Sequence, residues 1–475
     1  MTKTISPFFE GLCLKFRAFL WAERSDLVVS LTPTAVFLFS YLITTVLAAT
    51  IYMAPGGDDY ISSRDGVIVD SVLSKIGSPT YIALLYLPLL ITTLFSYLTI
   101  KTIKLSTKTL VKPDTAFNLK ISTSMLALIS IAGTTFCLWK LHQVGALDLG
   151  ALSSGNFVEK TTRRLHLLES LGFTFFAFAY GINVIVPLLA FIAFVKQGEK
   201  LKDLILFAIT FCIFVFIITA TYSKAQILIY LILALVAFFL TRSKLKYMII
   251  VCAVSVGAFI LTGYAMQAKS GVIPTSNEAK LEQKQNKQNP PSNQRGAESR
   301  PLASYISKMA GDSLHRMAAA TPYYVAMFEN PAERCGIQGN MVRNLLHVAP
   351  PACVLPEKVF NAMYPEVDWA QGMQPAPASL SAYGEIGLGW SIIVMILAGI
   401  SLGVLGAIGS IGNGPLNIGF IVASSAFAYY LTQVPLVASF TYPHGLFAFM
   451  IPIAILAVVA LLSKWSTRAK ALAEI

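Results

Sequence analysis

The chain has 475 residues, of which 55% are hydrophobic and 13% are charged, and its formal net charge is +12. An ordinary soluble domain carries roughly 25% charged residues, so this composition excludes a typical soluble protein. Helices that cross a bilayer need roughly 20 apolar residues, and continuous apolar runs such as 227–240 do not alternate as the strands of a membrane barrel do. The sequence therefore predicts an all-α polytopic membrane protein.

Apolar stretches of membrane-spanning length predict ten transmembrane helices. The boundary between the fifth and sixth is the least distinct, because only Tyr222, Ser223 and Lys224 separate them. In chain order, the predicted spans are residues 27–52, 80–100, 121–141, 172–195, 204–220, 225–240, 247–266, 385–408, 416–437 and 445–463.

Lysine and arginine are distributed unequally between alternate connectors, and this bias predicts the orientation of the chain. One set of connectors, together with both termini, holds eighteen of the 36 basic residues, whereas the short connectors of the opposite set hold seven. We therefore expect both termini to be cytoplasmic. The net charge then reflects membrane topology and requires no nucleic-acid partner.

The predicted spans divide the chain into an N-terminal bundle of seven spans (1–266), one large outward-facing loop (267–384) and a C-terminal bundle of three spans (385–475). Residues 270–300 of the loop are rich in Gln, Asn, Lys, Pro and Ser, a composition typical of disorder. Residues 301–329 have the spacing of an amphipathic helix.

The charged face of that predicted helix carries Lys308, Asp312, His315 and Arg316. Asp312 and Arg316 are spaced for an ion pair within the helix. This cluster has two interpretations, which are a functional site and a solvated face of an interfacial helix.

Cys335 and Cys353 are the only two of the six cysteines that fall on the predicted outer side. Their separation of 18 residues suits a disulfide that closes a loop in an oxidising compartment, and two free thiols are the alternative. Phosphate-binding, dinucleotide-binding and zinc-binding motifs do not occur in the sequence. We therefore expect neither a metal nor a cofactor.

Cationic side chains are predicted to gather where the outer connectors meet the membrane. Arginine binds phosphate oxygens with two parallel hydrogen bonds, and lysine adds a point charge. Such a set suits an anionic lipid head group, although any one member is more often an interfacial residue with its charge in water. Arg163 and Arg164 precede the fourth span, and Lys224 follows the fifth. Arg316 and Arg343 lie in the long loop, which also holds His315 and His347.

Three stretches carry a resemblance to a known family. They are EKTTRRLH at 159–166, TYSK at 221–224 and APASLSAYGEIGLG at 376–389. With the overall layout, they resemble the bacterial O-antigen and oligosaccharide repeat-unit polymerases of the Wzy type, which have ten or more spans and one large periplasmic loop late in the chain. The related O-antigen ligases typically place a histidine just before the last stretch, where this chain has Ala376, Pro377 and Ala378. That difference favours a polymerase.

The resemblance implies a glycosyltransferase of the bacterial inner (cytoplasmic) membrane. It would transfer a growing oligosaccharide from undecaprenyl pyrophosphate to a hydroxyl of the incoming lipid-linked unit at the periplasmic face. The five cations would then bind the departing pyrophosphate. His315, His347 and Glu385 are the candidate catalytic bases, and Tyr383 and Trp369 are candidates for contact with sugar rings.

The implied partners are lipid-linked oligosaccharides and membrane lipids, with a chain-length regulator as a further candidate. A flippase or transporter of lipid-linked oligosaccharides is one alternative function, and an O-antigen ligase is the other. Transporters often carry internal two-fold repeats, and no clear repeat relates the two halves of this sequence.

Overall fold

All of the secondary structure in the described part of the computed structural model is helical. The structure describes residues 26–53, 70–108, 119–147, 166–167, 170–221, 223, 225–267, 320–338, 343, 347–348, 353–363, 374–412, 414–442 and 445–473. Predictions that concern 270–300 and the first part of the loop helix, 301–319, lie outside these residues.

The helices are numbered here in chain order. Those before the long loop are α1 (Asp26–Ser30), α2 (Thr32–Tyr41), α3 (Ala48–Tyr52), α4 (Asp70–Leu73), α5 (Pro79–Lys108), α6 (Thr123–Gln143), α7 (Ser170–Lys196), α8 (Leu201–Ala220), α9 (Ala225–Thr241) and α10 (Leu245–Gln267). Those within and after the loop are α11 (320–328), α12 (Leu355–Met363), α13 (Ala378–Glu385), α14 (Leu388–Gly409), α15 (Pro415–Tyr430), α16 (Leu436–Thr441) and α17 (Leu446–Ala473). Leu42–Leu47 and Ala177–Ile182 are π-helical turns.

Six helical segments within the described residues are long and apolar enough to cross a membrane. They are Pro79–Ser106, Thr123–Gln143, Ser170–Lys196, Leu201–Ala220, Leu388–Gly409 and Leu436–Ser463. Three shorter apolar helical segments, Thr32–Leu47, Ala225–Thr241 and Leu245–Ile260, coincide with three more predicted spans. These helices are consistent with an all-α polytopic membrane protein.

Two predicted span boundaries are wrong. The predicted ninth span, 416–437, corresponds to α15, which ends at Tyr430. The predicted eighth span starts at Glu385, but Glu385 ends the separate short helix α13, and the long helix begins at Leu388. The break falls at Gly387, whose φ of 125° is a backbone conformation that other residues rarely adopt.

Helices from both sides of the loop pack into one bundle. Gly399 and Gly403 of α14 lie so close to α5 that an added Cβ would be 2.6 Å from the carbonyl oxygen of Thr92 and 2.7 Å from that of Ser96. Small residues at a spacing of four let two helix backbones approach closely. The predicted N-terminal and C-terminal bundles therefore share one hydrophobic core.

A second hydrophobic cluster lies at one end of this bundle. It joins the end of α3 and the start of α5 to the described loop helices α11 and α12 and to α13. Its buried residues include Ala49, Tyr52, Val72, Tyr81, Leu84, Leu85, Tyr323, Tyr324, Phe328, Leu355, Val359, Met363, Leu380 and Tyr383. The described part of the loop is thus fixed to the bundle at this end, which is called the loop end below.

Candidate functional site

Helix α13 lies between the bundle and the loop helices, and all eight of its residues are buried. The backbone N–H groups of Ala376 and Ala378 donate to the carbonyls of Gln433 and Leu431, directly after α15. These two bonds fix the start of α13 on the loop end of the bundle. Its last residue, Glu385, then lies only three positions before the first residue of α14.

The Glu385 carboxyl is buried, with the residue only 7% exposed, and both of its oxygens accept a hydrogen bond. Oε1 accepts from the backbone N–H of Gln338 at 3.2 Å, and Oε2 accepts from the indole Nε1 of Trp390 at 2.7 Å. Burial raises the pKa of Glu385 to about 7, and the two donors oppose that rise. A carboxyl that titrates near neutral pH is suited to accept a proton in catalysis.

A buried tyrosine faces this carboxyl from α11. Burial raises the pKa of Tyr324, and the charge of Glu385 raises it further, whereas the hydroxyl of Ser381 opposes the change. Ser381 lies one helical turn before Glu385 on α13. Tyr324 therefore remains a neutral hydroxyl at physiological pH and adds no charge beside Glu385.

The Cys335–Cys353 disulfide expected from the sequence is present, and it lies next to Glu385. The backbone N–H of Cys335 donates to the carbonyl of Gly384 at 3.1 Å, and that of Gly336 donates to the carbonyl of Glu385 at 3.0 Å. The segment that carries the disulfide therefore runs along the end of α13.

The Gln338 side chain connects the two sides of the disulfide. Its Nε2 donates to the carbonyls of Gly336 and Cys353, each at 3.2 Å, and its Oε1 accepts from the N–H of Leu355 at 3.3 Å. Gln338 thus holds the start of α12 against the turn whose backbone contacts Glu385.

Arg334 holds the other side of the same junction. Its Nη1 donates to the carbonyl of Ile386 at 2.6 Å, and its Nε donates to that of Phe328 at 3.1 Å. The guanidinium also lies against Gly387, where an added Cβ would be 2.8 Å from its central carbon. Arg334 therefore joins the end of α11 to the break between α13 and α14.

A second polar cluster lies inside the bundle at the loop end. The hydroxyls of Tyr180 and Ser223 share a short hydrogen bond, and the hydroxyl of Tyr430 donates to Oε1 of Gln226 at 3.2 Å. All four residues are buried; Tyr180 comes from α7, Gln226 from the start of α9 and Tyr430 from the end of α15, whereas Ser223 lies in the connector before α9. Buried polar side chains within a membrane bundle are costly and often mark functional positions.

Six of the twelve site residues predicted from the sequence lie within the described part of the chain. Three of them, Cys335, Cys353 and Glu385, lie close together, although the disulfide and the candidate base were predicted separately. Arg343 is half-buried and His347 is exposed, and both lie in one turn that the Val348 N–H closes on the Arg343 carbonyl. The other six, Arg163, Arg164, Lys224, His315, Arg316 and Trp369, lie outside the described residues.

Tyr383 is only 3% exposed and packs within the second hydrophobic cluster. Its ring therefore has little free face for contact with a sugar, and the burial favours the packing role that interfacial aromatics usually have. Contact of Tyr383 with a sugar ring stays a prediction.

Arg334, Gln338 and Trp390 were not among the predicted site residues. Their contacts with the junction at Glu385 depend on how the loop folds onto the bundle, and no sequence motif marks them. The one available signal was the position of Arg334 and Gln338 beside Cys335, which the predicted disulfide places in the ordered part of the loop.

The fold defines a polytopic α-helical membrane protein with a disulfide-bonded segment on one end of its bundle. Comparison with protein-family models, with curated proteins and with solved structures finds no match. Any assignment of activity therefore depends on the geometry around Glu385 and on the sequence.

Proposed function

We propose that this protein is a polymerase of lipid-linked oligosaccharide repeat units and that Glu385 is its catalytic base. The observation that carries the proposal is a buried carboxyl with a pKa of about 7, three residues before a membrane-spanning helix. A sugar on a lipid anchor is held at this depth, because its lipid tail stays in the bilayer. The position of the carboxyl beside such a helix supports its assignment as the group that meets an acceptor hydroxyl.

The reaction that fits is glycosyl transfer between two undecaprenyl-pyrophosphate-linked chains. A hydroxyl of the incoming unit attacks the anomeric carbon of the growing chain, and the proton of that hydroxyl passes to the Glu385 carboxylate. The bond between the anomeric carbon and the pyrophosphate oxygen breaks, and the pyrophosphate leaves with the electron pair. Trp390 and Gln338 each occupy one lone pair of the carboxylate, so each oxygen keeps another to accept the proton.

The departing pyrophosphate needs cations, and we assign this role to Arg163, Arg164, Lys224, Arg316 and Arg343. One observation supports Lys224. Its neighbour Ser223 bonds to Tyr180 within the polar cluster at the loop end, which is also the end that carries α13. His315 and His347 remain the alternative candidates for the base.

For the topology, we propose ten spans in a bacterial inner membrane, with the loop outside and both termini in the cytoplasm. The charge of the described connectors supports this orientation. Lys244 pairs with Glu199 at 3.0 Å, between two connectors at the far end of α8 and α9 from Ser223. Lys200 and Arg242 lie in the same two connectors, and Lys202 and Lys246 lie in the adjoining first turns of α8 and α10. An excess of basic residues marks the cytoplasmic side.

The proposal is tested by deletion of the gene, followed by gel display of the surface polysaccharide. Complementation with the wild-type chain should restore long polymers, whereas Glu385→Gln should leave lipid A–core capped with a single repeat unit. Glu329→Gln is a matched control, because the Glu329 carboxylate is 59% exposed and pairs with Lys75 at 2.6 Å, whereas the donors to Glu385 are Gln338 and Trp390. Bare lipid A–core after deletion would instead indicate a ligase or a flippase.

A further inference from the structure

The Glu385 carboxyl depends on a backbone group of the loop for one of its two hydrogen bonds. The N–H of Gln338 donates to Oε1 at 3.2 Å. This donor lies 47 positions away along the chain and on a different element from the carboxyl. A backbone N–H that far away stays in place only if the segment that carries it is itself fixed.

That segment is fixed at Cys335 and Gly336 by their backbone bonds to α13, and at Gln338 by the side chain of Gln338 itself. The Gln338 amide uses Nε2 to donate to the carbonyls of Gly336 and Cys353, and it uses Oε1 to accept from the N–H of Leu355. Two of these partners, Cys353 and Leu355, are on the far side of the disulfide from Gln338. The disulfide brings them within reach, because it holds the Cα atoms of Cys335 and Cys353 at 5.1 Å.

We propose that Gln338 is a positioning residue for Glu385, and that the Cys335–Cys353 disulfide acts on the carboxyl through Gln338. Removal of the Gln338 side chain releases the Gln338 end of this segment, while Cys335 and Gly336 stay bonded to α13, so the Gln338 N–H moves away from Oε1. Removal of the disulfide releases the partners of the same amide and has the same effect. The role deepens the proposed function, since it concerns the group assigned there as the base.

The other groups that face Glu385 do not replace this donor. Trp390, on α14, already donates its one N–H to Oε2. Tyr324, on α11, is a neutral hydroxyl close enough for the carboxylate charge to affect it. Arg334 directs two of its donors to the carbonyls of Phe328 and Ile386. Loss of the Gln338 N–H therefore favours the protonated form of the carboxyl.

The test is an infrared titration of the purified full-length protein in lipid nanodiscs. The Glu385 band is the protonated-carboxyl band that Glu385→Gln removes. In Gln338→Ala, in the more space-filling Gln338→Met, and in the Cys335→Ser/Cys353→Ser double variant, the midpoint of this band should move to higher pH by about one unit. If one variant fails to fold, the remaining two still test the proposal.

Lys358→Ala is the matched control. Lys358 holds the same helix α12 to Glu333, through bonds of 3.0 Å to its carboxylate and its carbonyl, without contact with Gln338. Its midpoint should equal that of the wild type. A midpoint that is unchanged or lower in the folded Gln338 variants, or one that rises equally in Lys358→Ala, would overturn the proposal.

The titration needs no substrate, so it separates this inference from the proposed function. A raised midpoint in the Gln338 variants, with normal polymer from Glu385→Gln, supports the positioning role and removes the polymerase mechanism. Loss of polymer in Glu385→Gln, with no shift in the Gln338 variants, supports the mechanism and removes the positioning role.

Discussion

The indole Nε1 of Trp390 donates a 2.7 Å hydrogen bond to Oε2 of Glu385, across the break between α13 and α14. The two residues are five positions apart, and the helical path is broken between them at Gly387. The bond therefore attaches the carboxyl to the first turn of a membrane-spanning helix. Glu385 is buried at this position, and burial has the largest effect on its pKa, which it raises to about 7.

Glu385→Gln should change the pH dependence of stability. The native state binds the Glu385 proton more tightly than the unfolded chain, because the folded pKa is about 7 against an ordinary value of 4.5. Wild-type stability should therefore fall as the pH rises from about 4.5 to about 7, by up to about 3 kcal/mol. The variant carries no titrating group at this position, so its stability should change less over that window. Thermal unfolding in detergent at the two ends of the window measures the difference, and parallel curves would contradict the assigned burial.

Trp390→Phe should move the pH profile of polymerisation. The variant keeps an aromatic ring but loses the donor to Oε2, so the pKa of Glu385 should rise above about 7. If the rise is about one unit, the ionised fraction at neutral pH falls about fivefold, and the rate should fall with it. Rates measured in proteoliposomes over a pH series give the result. Trp465→Phe is the control, because Trp465 is strongly exposed. If the two variants have the same pH profile of the rate, the hydrogen bond from Trp390 to Glu385 does not influence the carboxyl.

Gly387→Ala should destabilise the junction between the loop and the bundle. Its φ of 125° is unfavourable for any residue with a Cβ, and the new methyl group would lie 2.8 Å from the guanidinium of Arg334. Together these effects should lower the free energy of unfolding by about 1–3 kcal/mol. Gly389→Ala is the paired control, because it is helical and an added Cβ there has no neighbour within 4 Å. Equal melting temperatures for the two variants would contradict the strain at Gly387.

Gly403→Ala should weaken the contact between α14 and α5. An added Cβ would lie 2.7 Å from the carbonyl oxygen of Ser96, so the two helices must separate, at a cost of about 1–3 kcal/mol. Gly257→Ala in α10, where an added Cβ meets nothing within 4 Å, should cost little. Unfolding monitored by circular dichroism compares the two, and a stable Gly403→Ala would mean that the helices are not in close contact.

The membrane class and most helix positions could be predicted from the sequence, because apolar runs of bilayer length determine both. The break at Gly387 could not, because a glycine in an apolar run is also compatible with a continuous helix. Glu385 was named as a candidate base within the stretch at 376–389 that carries the family resemblance, and that role stays a prediction. The two donors to Glu385 were not predicted. The bond from Trp390 forms only because the helix breaks at Gly387, and the bond from Gln338 joins residues 47 positions apart.

The burial of Tyr383, a candidate for sugar contact, could not be predicted from the sequence either. Tyr383 lies two residues before Glu385 in the sequence, and an aromatic residue beside an acidic one suits a carbohydrate site. Its burial against Leu380 and Phe328 is decided by the fold of the loop onto α5. Whether an aromatic ring is exposed to a ligand or packed inside a cluster depends on tertiary packing. It cannot be predicted from the spacing of residues along the chain.

The most direct test of the central claim is polymer formation by the purified protein in proteoliposomes that contain lipid-linked repeat units, over a pH series around neutrality. For the wild type and for Glu329→Gln, we predict long products whose rate of formation rises with pH through an apparent pKa of about 7. For Glu385→Gln, we predict a rate lower by about 100-fold or more at every pH, as expected for loss of a general base. Polymer formation by Glu385→Gln at the wild-type rate would contradict the account.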